Sequence, residues 1–198
     1  MNQILNLFPV PVLKGHIDPP EGLLEQIQEV MGKNRGAWAS ESGVSTGELG
    51  VHLHEEVPLM KDLLDGLVEH VIYYWDQHLK YAPANLHPLY SWCNFHEKGD
   101  FTGEHSHCSG ILGSHIATVY YLEKGEGGDI RLCDPLDYIR RLTPIRSGGA
   151  DEPELMSESV PSKTGDFLLF PGWLRHRTDF ATGKRKAISI NWNGEIVL

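Results

Sequence analysis

The pattern of apolar residues changes near residue 89, and this change constrains the fold more than any other feature. After it, short apolar runs rich in β-forming residues alternate with glycine-containing turns, at 89–95, 114–122, 128–133, 165–170 and 186–192. Several short strands separated by turns are typical of an all-β sandwich or barrel. The sequence therefore predicts a mainly β fold of the jelly-roll type, with flanking helices.

The part of the chain before residue 89 predicts elements that support this β core. Residues 8–14 contain two prolines, which remove backbone donors, so they predict a short strand at a sheet edge. A first helix is expected to open at Pro19-Pro20-Glu21 and to run through about Met31, since prolines are tolerated in a first turn. A second helix is expected at about 59–79, where apolar residues recur every three or four positions. We expect both helices to pack against the outside of one sheet.

A length of 198 residues predicts a single domain. Within it, residues 1–88 would supply the N-terminal strand and supporting helices, and residues 89–198 the jelly-roll core. Residues 136–164 interrupt that core with an Arg-Arg pair, a Ser-Gly-Gly turn and several acidic residues. Long segments in compact domains often act as functional lids, and a plain surface insertion is the equal alternative.

Composition narrows the cellular setting and the partners. The net charge of −10 disfavours a nucleic-acid partner, which usually requires a basic surface. The cysteines Cys93, Cys108 and Cys133 are odd in number and widely spaced, which favours reduced thiols and a cytoplasmic protein. We find no signal-peptide pattern and no apolar run long enough for a bilayer, so no membrane partner is expected. A homodimer paired through the N-terminal strand stays open.

Two histidines separated by one residue give the strongest sign of chemistry. In an extended segment, the side chains of His105 and His107 project to the same face and could chelate one divalent ion. A third ligand from a distant strand would complete one side of the ion. His176 follows a tight Gly-Asp turn, an apolar strand and Pro171, which would place it at the far end of that strand. An exposed loop histidine is the alternative for His176.

A second pair, His52 and His54, has the same spacing and is followed by two glutamates. It differs in its context, because it precedes the long predicted helix and no glycine-led strand follows it. We therefore expect this pair to be a decoy, and we place the metal at His105, His107 and His176.

Five ordered motifs between residues 92 and 192 resemble those of the 2-oxoglutarate- and Fe(II)-dependent oxygenase superfamily. They are similar, more closely, to a group of bacterial and phage oxygenases that carry His-x-His in place of the usual His-x-Asp. The motifs are Asn-Phe-His-Glu-Lys-Gly at 94–99, His-Ser-His at 105–107, Tyr-Tyr-Leu at 120–122, Gly-Gly-Asp at 127–129, and His176 with Arg185 nine residues later.

The resemblance implies a double-stranded β-helix of the cupin-like kind, with Fe(II) as metal and 2-oxoglutarate as cosubstrate. It also implies that Arg185 anchors the distal carboxylate of the cosubstrate, a task that suits the planar guanidinium. Tyr121, Asn94 and Ser189 occupy positions that contact the cosubstrate in similar enzymes. The alternatives are a basic surface turn for Arg185 and a plain core aromatic for Tyr121. The role of His96 is left open. Trp92, Trp173 and the 136–164 segment could wall the substrate side, although a plain packing role is favoured for Trp173.

His107 departs from the superfamily pattern, which usually has Asp or Glu at this position. The three ligands would then be neutral imidazoles, which also suit Zn, Cu or Ni. Binding of the dianionic cosubstrate would compensate the charge of the ion. The expected reaction is hydroxylation of an unidentified small molecule or protein, with release of succinate and CO2, and no catalytic residue beyond the metal ligands. The alternatives are a three-histidine cupin-type dioxygenase that does not use 2-oxoglutarate, or a non-catalytic jelly roll that binds metal or sugar.

Overall fold

The computed structural model describes residues 9–33, 43–49, 52–108, 113–140 and 157–197. Nine strands and four α-helices lie in this part of the chain. In chain order they are β1 Leu13–His16, α1 Leu23–Lys33, β2 Val44–Ser45, α2 Leu53–Glu56, α3 Met60–Tyr73, β3 Ala84–His96, β4 Ile116–Lys124, β5 Ile130–Cys133, α4 Asp137–Arg140, β6 Ser157–Val160, β7 Asp166–Pro171, β8 His176–Thr178 and β9 Arg185–Ile196. A short 3-10 helix, Thr46–Leu49, follows β2, and a π-helix, Tyr74–Leu79, continues α3.

Two antiparallel sheets form the body of the protein. The larger sheet has the strand order β1-β7-β4-β9-β3-β2, and the smaller has the order β6-β5-β8. All five predicted strand runs are present as β3, β4, β5, β7 and β9, and the mainly β jelly-roll prediction is confirmed. The short strands β2, β6 and β8 were not predicted, because two to four residues are too few to show a hydrophobic period.

The N-terminal strand lies at the sheet edge, as its prolines predicted, but farther along the chain than 8–14. β1 begins at Leu13, after both prolines, and pairs only with β7, through Leu13 opposite Leu169. Proline has no N–H to donate to a ladder, so regular pairing starts once the prolines have ended. Its residue Gly15 is required by packing, since an added Cβ would lie 2.3 Å from the ring of Phe167.

The two predicted helices are present with small differences in their bounds. α1 begins at Leu23, later than the predicted opening at Pro19-Pro20-Glu21. It follows a turn in which the Leu23 N–H donates to the Pro20 carbonyl at 3.1 Å and Gly22 has a φ of +85°. The predicted helix at 59–79 is divided into α3 and the π-helix. Among the described helices, none is long and apolar enough to cross a membrane.

The two faces of the larger sheet pack against different partners. We call one the helix face, since its side chains pack under α1, α2, α3 and the π-helix. On β9 it carries Ile188, Ile190 and Trp192, which join the apolar residues of α3 in one core. The opposite face packs against the smaller sheet through Ala187 and neighbouring apolar residues. We call this second surface the cavity face, since it borders the site described below.

The segment predicted as an insertion, 136–164, is only partly a loop. Its last part forms β6, which pairs with β5 from Ser157 opposite Cys133 to Val160 opposite Ile130. This corrects the prediction: the alternation of four residues was too short to stand out beside the acidic run. Residues 141–156, on which the lid interpretation depends, lie outside the described residues.

Candidate metal centre

Backbone hydrogen bonds hold the three predicted histidines side by side. His105 and His176 exchange both N–H to carbonyl bonds at 2.9 Å, which makes an isolated antiparallel bridge. The N–H of His107 donates to the carbonyl of Gly172 at 2.8 Å, just before β8. The segment that carries His105 and His107 therefore runs beside β8, although it lies outside the named strands.

The three imidazole rings converge. Ring centroids are 4.4 Å apart for His105 and His176, 5.0 Å for His107 and His176, and 5.1 Å for His105 and His107. One ligand atom from each ring lies within 4.8 Å of the other two, and this is the one group of three or more candidate ligands found among the described residues. Bonds of about 2.1 Å to one ion need closer atoms, so binding would draw the rings together.

The decoy pair is arranged differently. The rings of His52 and His54 stack at a centroid distance of 5.7 Å, and His52 also contacts Tyr90. The Nδ1 atom of His54 lies 2.7 Å from the Ser91 hydroxyl, so this ring is already engaged in a hydrogen bond. In the described part of the chain, His105 and His107 share a group of three candidate ligands with His176, whereas His52 and His54 belong to no such group.

Backbone carbonyls fix the proton on two of the three candidate ligands. Nδ1 of His105 donates to the Gly103 carbonyl at 2.8 Å, and Nδ1 of His176 donates to the Leu174 carbonyl at 2.9 Å. A carbonyl oxygen only accepts, so the proton must be on Nδ1 and the lone pair on Nε2. In metal sites, ligating histidines usually make this kind of outer bond.

The environment keeps all three rings neutral. Burial lowers the pKa of His107 to about 2, helped by repulsion from His176 and His105. Burial also lowers the pKa of His176 to about 3, with repulsion from His105 and Arg185 adding to the effect. The pKa of His105 is lowered by burial as well. Neutral imidazoles hold free lone pairs at neutral pH, so the donor set fits a transition-metal ion.

A cavity opens beside these rings, between the cavity face and the smaller sheet. Residues from both sheets and from the His105 segment line it: Trp92, Asn94, Thr102, His105, His107, Thr118, Val119, Ile130, Phe170, His176, Arg177, Thr178, Arg185 and Ser189. This set contains no carboxylate. The described lining is therefore neutral apart from two arginines, although the whole chain carries a net charge of −10.

Arg185 is a buried cation at the edge of this cavity. Its exposed fraction is 3%, and its Nε and Nη1 atoms have no hydrogen-bond partner among the described residues. The guanidinium lies over the ring of Tyr121, with Cζ 5.3 Å from the centroid. Gly128 makes room for it: its φ is +64°, and an added Cβ would lie 2.9 Å from Cδ of Arg185. The alternative of an exposed basic turn does not describe this side chain.

The other predicted cosubstrate residues divide into two groups. Asn94 and Ser189 line the cavity. Tyr121 is fully buried behind Arg185, and its hydroxyl accepts a hydrogen bond from the Ile130 N–H at 3.3 Å. Burial raises the pKa of Tyr121, so its hydroxyl stays protonated. The structure therefore places Tyr121 beneath the guanidinium rather than on the cavity wall.

Trp92 and Trp173 were both considered for the substrate side, and only Trp92 lies there. Trp92 lines the cavity, with its ring centroid 5.7 Å from that of His107. Trp173 is 43% exposed and is not part of the lining, so it does not wall the cavity, and it is also more exposed than the packing residue favoured from the sequence. It lies in the turn between β7 and β8, where a side chain can point outward into solvent.

Sequence reasoning missed Asn191 and left His96 without a role. Both are buried, and each has one side-chain atom without a hydrogen-bond partner in the described part of the chain: Oδ1 of Asn191 and Nδ1 of His96. Nδ2 of Asn191 lies 3.3 Å from Nδ1 of His107. The period-two rule could have found Asn191, because residues 185, 187, 189 and 191 share one face of β9.

Comparison with solved structures shows the fold. A prolyl-4-hydroxylase from Pseudomonas putida has 12% identity and a TM-score of 0.59, with 96% of this chain and 94% of that chain covered. HygX from Streptomyces hygroscopicus, solved with nickel, 2-oxoglutarate and hygromycin B bound, has 14% identity and a TM-score of 0.61, with coverages of 94% and 83%. The alpha-ketoglutarate-dependent carbocyclase SnoK from nogalamycin biosynthesis has 15% identity and a TM-score of 0.65, with coverages of 94% and 80%.

Comparison with sequences identifies the family. No curated protein sequence matches this chain. The profile of the family described as "Putative 2OG-Fe(II) oxygenase" matches residues 90–193, which is more than half of the chain and includes all the candidate ligands. The chain belongs to this family of 2-oxoglutarate- and Fe(II)-dependent oxygenases.

Proposed function

We propose that this protein is a non-haem dioxygenase that hydroxylates an unidentified substrate and releases succinate and CO2 from 2-oxoglutarate. In this proposal His105, His107 and His176 hold Fe(II), and Arg185 binds the distal carboxylate of the cosubstrate. The observation that carries it is the pairing of a metal-competent histidine cluster, in one cavity, with a buried guanidinium whose Nε and Nη1 atoms have no hydrogen-bond partner among the described residues.

The guanidinium supports an anionic ligand for an energetic reason. A buried charge without a partner is costly, and such groups normally pair with a counter-ion. The described residues give Arg185 no carboxylate, while its planar fork matches a carboxylate in two parallel hydrogen bonds. A ligand that brings its own carboxylate would satisfy the orphaned Nε and Nη1 atoms.

The protein residues supply binding, orientation and a dry site. When bound, the iron and 2-oxoglutarate supply the oxidising chemistry with O2. Three protein ligands on one side leave open positions for cosubstrate and O2. Asn94 and Ser189 offer polar contacts from the cavity face, and Val119, Ile130 and Phe170 provide apolar walls that exclude water.

The absence of a carboxylate among the three ligands has a thermodynamic consequence. Three neutral imidazoles leave the charge of a divalent ion uncompensated, and Arg185 adds a further positive charge to the same cavity. A dianionic cosubstrate would be attracted by the metal ion and by the Arg185 guanidinium. We therefore expect metal and 2-oxoglutarate to strengthen each other's binding, and this coupling must be reciprocal.

Hydroxylation is proposed within a wider range of oxygenase chemistry. The structures similar to this chain include prolyl hydroxylases, a carbocyclase and an epimerase, all of one fold. A shared fold does not define the reaction, because the outcome depends on which bond of the substrate lies beside the metal. Hydroxylation needs only a C–H bond at that position, and we propose it on that ground.

The test is a calorimetric titration of the anaerobic, Fe(II)-loaded protein with 2-oxoglutarate. We expect Arg185→Leu to weaken binding about 100-fold, since truncating one partner of a buried charge pair costs roughly 2–5 kcal/mol. The matched control is Lys186→Leu, the next residue on β9, whose ammonium pairs with Glu123 away from the cavity. It should bind 2-oxoglutarate like the wild type.

Two outcomes would contradict the proposal. Equal affinity of wild type and Arg185→Leu would remove the anchor and favour the cupin-type dioxygenase that does not use 2-oxoglutarate. The second outcome is a wild-type protein that binds 2-oxoglutarate but releases no succinate once O2 is admitted, either without an added substrate or with any of a broad set of substrates. This result would favour a non-catalytic binding module.

A further inference from the structure

We propose that Asn191 is a positioning residue that orients His107 and determines which of its ring nitrogens carries the proton. The inference rests on the metal site proposed above. Asn191 lies on the cavity face of β9, six residues after Arg185, and only 7% of it is exposed. Neither the family motifs nor the spacing of the histidines draws attention to it.

The three candidate ligands are held by different kinds of partner. The Nδ1 atoms of His105 and His176 face backbone carbonyls, at 2.8 Å and 2.9 Å. No carbonyl bonded to the His107 ring is found in the described part of the chain; its Nδ1 atom lies 3.3 Å from the side-chain amide of Asn191. A carbonyl can only accept, so it fixes one tautomer, whereas an amide offers a donor at one end and an acceptor at the other.

The amide orientation decides whether His107 can use Nε2 as a ligand. With Nδ2 toward the ring, the amide donates to Nδ1, the ring proton lies on Nε2, and no lone pair is left there. In this orientation Oδ1 of Asn191 is buried and has no partner among the described residues. After a half-turn of the amide, Oδ1 accepts from Nδ1–H, and the lone pair moves to Nε2. His107 then matches the other two ligands.

This arrangement makes His107 the adjustable ligand of the three. Its carboxylate counterpart in the usual triad would need no tautomer, since an ionised carboxylate accepts at either oxygen. Replacing a carboxylate by an imidazole creates a need for an outer acceptor, and such outer partners are worth about 10–100-fold in metal affinity. Asn191 is placed to meet this need.

The first test is the affinity for Zn(II), measured by competition with a chelator in the full-length protein. Asn191→Leu keeps the approximate size but has no acceptor, and we expect its Zn(II) affinity to fall 10–100-fold. Asn191→Asp supplies an acceptor for Nδ1–H and should bind Zn(II) at least as tightly as the wild type. The matched control is Asn193→Asp, which adds the same charge two residues farther along β9 and should leave the affinity unchanged.

The second test follows the ring proton directly, by nitrogen NMR of histidine in the wild-type protein. We expect all three ligands to show Nδ1–H in the Zn(II) complex, with His107 alone changing tautomer when Zn(II) binds. This measurement needs no variant, so it stays decisive even if Asn191→Leu fails to fold.

The outcomes separate this inference from the function on which it rests. Wild-type protein that binds no Zn(II) would overturn both. Wild-type binding with equally tight binding by Asn191→Leu, or His107 bound to Zn(II) through Nδ1, would overturn the role of Asn191 alone. Equal tightening by Asn191→Asp and Asn193→Asp would show a simple charge effect and would also overturn it.

Discussion

The two faces of the larger sheet bury polar atoms in opposite ways. On the helix face, the buried tryptophans of the described residues both have partners for their indole N–H groups. Nε1 of Trp75 donates to the Ala82 carbonyl at 2.8 Å, and Nε1 of Trp192 donates to the Thr118 hydroxyl at 2.8 Å. The cavity face instead carries buried polar atoms without partners among the described residues, on Trp92, His96, Arg185 and Asn191.

The same strands form both faces, so the faces differ only in the side chains that each strand directs to them. Along β9, Ile188, Ile190 and Trp192 alternate with Arg185 and Asn191. Unsatisfied buried polar groups destabilise a fold, and natural proteins keep few of them. Their concentration on one face indicates that this face is organised for ligands, whereas the helix face is organised for stability.

Removing a candidate metal ligand should give the largest effect. We expect His176→Ala to weaken Zn(II) or Co(II) binding by more than the roughly 10–100-fold that loss of an outer partner costs. The matched control is His52→Ala in the decoy pair, which should leave metal affinity unchanged. Calorimetric titration of both variants checks this. Equal losses in the two variants would show that the cluster on the cavity face is not the metal site.

A cavity-creating change on the helix face should act on stability alone. Leu67 is fully buried on α3 within the core of that face. We expect Leu67→Ala to lower the free energy of unfolding by about 2–5 kcal/mol, the usual cost of such a truncation. Urea denaturation measures this, and titration below the unfolding transition should show unchanged Zn(II) affinity. A large loss of Zn(II) affinity in the folded variant would contradict the view that the helix face acts on stability and not on metal binding.

The cavity face should show the opposite behaviour. We expect Arg185→Met to stabilise the metal-free protein by roughly 1 kcal/mol or more, because it removes a buried charge for which the described residues offer no carboxylate. Arg131→Met is the control, since the Arg131 Nε donates to Asp179 at 2.8 Å and its loss should lower stability. Urea denaturation of both variants without ligands provides the comparison. Destabilisation by Arg185→Met would show that the guanidinium has a structural partner.

The effect that is smallest at neutral pH is expected from His96, and it grows only in the acid range. Burial, with repulsion from Arg185, lowers the pKa of His96 to about 4, against 6.5 for an ordinary histidine. Between these values the unfolded chain binds a proton that the folded chain does not, so stability decreases as the pH falls from about 6.5 to about 4. His96→Gln should remove up to about 1.4 kcal/mol per pH unit of this decrease. Parallel stability curves for the metal-free wild type and variant would contradict the assignment.

The sequence was sufficient to predict the elements of the helix face and the order of the candidate site residues along the chain. It predicted only part of the cavity face. Periodicity identified the strands and the long helix because apolar burial repeats every two or 3.6 residues. The context of the His105 pair, with its glycine-led strand, distinguished it from the pair at His52. The offset of Arg185 from His176 identified a residue that composition would have assigned to a basic turn.

The rest depended on which side of a doubly buried strand each residue occupies. Both faces of β9 are buried, so alternation shows that two faces exist but not which one borders a cavity. Asn191 became recognisable only through its distance to His107. Tyr121 matched a motif position, yet its hydroxyl is engaged by the backbone of Ile130. The sequence favoured a packing role for Trp173, yet its position in the turn after β7 leaves 43% of it exposed.

The most direct measurement is a crystal structure of the protein grown with Zn(II) and 2-oxoglutarate. We predict one ion bound by Nε2 of His105, His107 and His176, and a carboxylate of 2-oxoglutarate in two hydrogen bonds with Arg185. An ion at another position, or a well-occupied metal site in which Arg185 is still without a carboxylate at saturating 2-oxoglutarate, would contradict the account.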